Sequence, residues 1–120
     1  MYDIIIQNNA SKEVFLFQRQ IPVEETGLYL LFNLEMPEGV KEGEYTYAVV
    51  RNYRKDAEYT FKPVLLESEV YLRKADEKVT LQHLAAMTGI VSIETEGGVP
   101  QLIFIEGEGE DNNKVYYYEG

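Results

Sequence analysis

The chain has no cysteine, no tryptophan and a single histidine, His83, among 120 residues. Without cysteine there is no disulfide, no thiolate zinc site and no cysteine nucleophile. One histidine excludes a multi-histidine metal site within one chain. Cationic side chains are scarce as well: 11 Lys and Arg stand against 21 Asp and Glu, a net charge of −10. That balance repels phosphate backbones and anionic lipid, so neither nucleic acid nor membrane is an expected partner. No apolar run approaches the ~20 residues of a helical membrane span. The opening MYDIIIQNN carries no basic n-region and no apolar h-region, so no signal peptide is expected.

What is present is β chemistry. Hydrophobic residues make up 45% of the chain, and ten are tyrosines. The length fits one domain over 1–120 with a single core. Short runs of β-branched and aromatic residues alternate with turn residues. Segments 2–7, 13–20, 28–34, 44–52, 59–67 and 69–74 read as strands, the first two as a hairpin across the NNASK turn. GIVSIET, QLIFIEGE and KVYYYE read as three more. Pro63 cannot donate to a ladder and marks an edge or bulge in its run. Between strands, DEKVTLQHLAAMTG carries helix formers and ends on Gly89, which predicts one short helix over 80–87. Roughly eight or nine strands at 8–12-residue spacing, with no βαβ alternation, predict an all-β, antiparallel β-sandwich of Ig-like or jelly-roll-like type.

The motifs with possible chemistry are few. EGEGEDNN (106–113) offers hard oxygen ligands in Glu108, Glu110, Asp111 and Asn113, of the kind calcium takes. EF-hand spacing is absent, and the same residues suit a solvated hairpin tip, so no metal is assigned. His83 has no local nucleophile motif to serve as a base. A glycosidase-like carboxylate pair cannot be picked out among so many acids. Asn9-Ala10-Ser11 matches a glycosylation sequon, which has meaning only on a secretory route. Arg51, Arg54 and Lys55 cluster around Tyr53, either capping a turn or meeting an acidic patch. The tyrosines suit a half-buried sheet face, a protein interface or a sugar-stacking platform.

FNLEMPEGVKEGEYTYAVV (32–50), with YDIIIQNNASKEVFLF before it and PVLLE and VYYYEG after it, resembles a family. Small β-sandwich virion proteins of Bacteroidales phages and prophages carry a similar series of pieces. Their module is similar to the baseplate-upper-protein N-terminal domain and occurs in head-fibre, auxiliary capsid or tail components. The most specific piece here is Gly43-Glu44-Tyr45-x-Tyr47; segment 70–105 departs from the pattern by inserting a helix and a hairpin. The resemblance implies a non-enzymatic virion protein without cofactor, made in the bacterial host cytoplasm. Its partners would be other virion proteins or further copies of itself. Strands apolar on both faces, such as FLF, YLLF, LIFI and VYYY, fit an interface role. The expected interface residues are Tyr2, Ile4, Ile6, Tyr45, Tyr47, Tyr116 and Tyr118. The alternative is a small carbohydrate- or cell-surface-binding module that uses tyrosines and calcium.

Overall fold

The structure, a computed structural model, describes residues 1–26, 30–35, 37–52, 56–93, 100–105 and 114–119, with Glu35 and the last two segments described as backbone. Among the described residues twelve strands pair, all antiparallel. The central sheet is built from β1 (Tyr2–Asn8), β2 (Val14–Gln20), β6 (Gly43–Arg51) and β10 (Met87–Ile93), in the order β10-β6-β1-β2. A second sheet holds β3 (Glu24–Glu25), β4 (Leu30–Leu31), β5 (Leu34–Glu35), β11 (Pro100–Ile105) and β12 (Lys114–Glu119). A third, smaller sheet runs β7-β8-β9 over Ala57–Thr60, Glu69–Leu72 and Glu77–Thr80.

These sheets make three layers around two cores. Side chains alternate along a strand, so β1 sends Tyr2, Ile4 and Ile6 to one face and Asp3, Ile5 and Gln7 to the other. On the first face they join Tyr45, Tyr47, Val49, Val91 and Ile93 and meet Leu30, Phe32 and Leu34 of the second sheet. That pairing of sheets is the expected sandwich. On the opposite face Ile5, Ala48 and Val50 pack under Ala57, Leu65, Val70, Leu72 and Leu81. The third sheet and its flanking turns therefore cover what a two-layer sandwich leaves to solvent. All seven residues of β1 are buried, and its apolarity on both faces is explained within the chain.

Local chemistry fixes the connections. Asn8 Oδ1 accepts from the N–H groups of Ala10 (2.9 Å) and Ser11 (3.0 Å), an Asx turn that closes the first hairpin. Gly39 takes φ +95° at the third position of the turn Pro37–Val40, where only glycine is unstrained. Near its end β2 carries one extra residue relative to β1. Arg19, at φ +56°, absorbs it as a β-bulge.

Several expected boundaries move. The helix is shorter than 80–87: α1 spans Leu81–Leu84, with Thr80 Oγ1 accepting from the His83 N–H at 3.3 Å. Ala85 is already extended, and the Ala86 N–H donates to Val49 O at 2.8 Å. Met87 is buried in the sheet, so tertiary packing overrides the helix preference of 85–87. Gly89, expected just beyond a helix, pairs with Tyr47 in mid-strand. Residues 77–80 form strand β9, an element not expected from the sequence, and Thr80 ends that strand instead of beginning the helix. The expected strand 59–67 stops at Thr60, and beyond Pro63 the chain makes a 3-10 turn over Leu65–Glu67. Within the described part of the expected strand 28–34, the two-residue strands β4 and β5 stand on either side of Phe32 and Asn33.

The third layer is fastened to the central sheet by Gln7. Its Nε2 donates to Lys12 O (3.3 Å) and Pro63 O (3.0 Å), and its Oε1 accepts from the Leu65 N–H (3.2 Å). Gln7→Leu keeps the volume but strands a buried N–H and two carbonyls. The carbonyls of exposed Lys12 and Pro63 can turn to water, so the variant should lose the ~1–3 kcal/mol of one unmet buried group, the Leu65 N–H, read from the denaturant midpoint. Ile5→Ala should cost about 2–5 kcal/mol by the cavity it leaves.

Candidate functional site

The tyrosines come first because the sequence points to them. Tyr45 is packed against the first core and its hydroxyl is internally engaged, donating to Lys41 O at 2.8 Å and accepting from the Lys41 N–H at 3.2 Å. Tyr2 meets Phe32 edge-on, with ring centroids 5.5 Å apart, and donates to Glu25 Oε1 at 2.8 Å. Tyr47 is buried beside them. Ile4 and Ile6 have no solvent exposure. These five expected interface residues are corrected to core: the second sheet covers their face, so no partner and no sugar ring reaches it. Tyr116 and Tyr118 belong to β12, paired with Ile103 and Gln101, but their side chains lie outside the described residues. So do residues 106–113, which include Glu108, Glu110, Asp111 and Asn113, and Tyr53, Arg54 and Lys55 of the basic cluster.

Two groups with chemical potential have structural employment. Asn9 of the sequon donates from Nδ2 to Glu44 Oε1 (3.0 Å) and accepts from Thr46 Oγ1 (2.7 Å). Asp3 is the buried carboxylate of the central strand. It accepts from the Arg19 N–H of the bulge at 3.1 Å and from the Tyr59 hydroxyl at 2.6 Å. The Tyr59 hydroxyl is held protonated well above its ordinary range, first by burial, then by its bond to Asp3 and by the carboxylate's charge. His83 is exposed on α1, and among the described residues no three His, Asp or Glu side chains converge as a metal site would need.

A cleft of about 310 Å³ opens among the described residues. Its floor is Gln7 and Thr46, one wall is Thr88–Ile90 of β10, and the other is the 63–66 turn. Asn9 and Lys12 close the hairpin end. Lys12 is the one ionisable group in this lining. Gln7, Asn9 and Thr46 spend their polar atoms on internal bonds, while Val64 (54% exposed) and Ile90 (52%) form an apolar rim. The arrangement can bind apolar groups by contact; it presents no nucleophile beside a base and no acid–base pair.

No protein-family model, no curated protein and no solved structure matches this chain. The molecule is an antiparallel, three-layered β domain whose described cleft is apolar. Sequence reasoning missed that cleft because its walls come from four separated segments, none with a local motif. The one available signal was Val64 beside Pro63, an apolar residue where the strand pattern breaks.

The Asp3–Tyr59 bond yields a pH prediction with a definite sign. The folded Tyr59 proton is held above the ordinary tyrosine value of 10.0, so the bond's stabilisation is full below that pH and is lost as pH rises beyond it. Tyr59→Phe should lose about 1–3 kcal/mol at neutral pH, because Asp3 stays buried with one donor fewer. Above pH ~10 the stability curves of parent and variant should converge. Denaturant titrations across alkaline pH read both effects.

Proposed function

We propose that this chain is a non-enzymatic subunit of a protein assembly, and that the assembly is a phage virion in which it serves as a head or tail accessory component. The observation that carries the assembly part is the half-exposed apolar rim of Val64 and Ile90 around a cleft in which Gln7, Asn9 and Thr46 are already bonded internally. A surface of that kind gains free energy by excluding water against another protein and offers little to a reaction. The virion part rests on the resemblance of residues 32–50 and their flanking strands to phage β-sandwich proteins. The net charge of −10 supports contact with other proteins over contact with packaged nucleic acid.

The test is quantitative mass spectrometry of purified phage particles from the source organism. The expected result is this chain at a fixed ratio to the major capsid protein, retained after salt washing. Its absence from intact particles would overturn the virion reading.

A further inference from the structure

We draw no further inference here: the strongest candidate, the apolar cleft between the 63–66 turn and β10 with its rim of Val64 and Ile90, carries none, because nothing in the structure shows what covers it.

Discussion

The structure depends on a strand with no solvent side. β1 is buried along its whole length, so every polar group it carries must find a partner inside the protein. Two of its side chains on the third-layer face are polar, Asp3 and Gln7, and they bracket Ile5. Asp3 reaches the third sheet through Tyr59, and Gln7 reaches the turn that leads into it through Pro63 and Leu65. The dry contact of Ile5, Ala48 and Val50 with Leu65, Val70 and Leu81 lies between those two clamps. Apolar burial supplies most of the attraction between the layers, and the clamps fix where one layer sits on the other.

Much of this was legible in the chain and some was not. The central strands show themselves by β-branched and aromatic runs bounded by turn residues, and Asn8, Gly39 and Gly43 mark turns by their own chemistry. The third layer was hard to see because propensity and packing disagree there. Ala85, Ala86 and Met87 favour helix, yet the chain leaves the helix at Ala85 and enters the sheet at Met87, which is buried and paired with Val49. Glu77–Thr80 is two charged residues followed by Val79 and Thr80, too short and polar to announce a strand.

The expected interface residues show how a pattern can be read correctly and assigned wrongly. Tyr2, Ile4, Ile6, Tyr45 and Tyr47 do mark a large apolar face, as their alternation implies. Nothing in a strand's own sequence says whether the cover for such a face comes from another molecule or from the same chain. Here Leu30, Phe32 and Leu34 supply it. The better signal was polar: Asp3 and Gln7, same-sided in an otherwise apolar strand, can be tolerated there only if the protein itself answers them.

The third layer also has a place in the chain worth following through. β6 ends at Arg51 and β10 begins at Met87, and the two are hydrogen-bonded neighbours in the central sheet. Everything between them, residues 52–86, is a single excursion that leaves one strand and returns beside it. Topologically it is an oversized hairpin loop. Closing a longer loop costs only slowly more entropy, so such an excursion can be lengthened, trimmed or exchanged while the sandwich keeps its register. The face it shelters cannot change so freely. If it were shortened to a tight turn, Ile5, Ala48 and Val50 would become a ready-made greasy floor, and whatever molecule settled on it would inherit the duties of the missing segment.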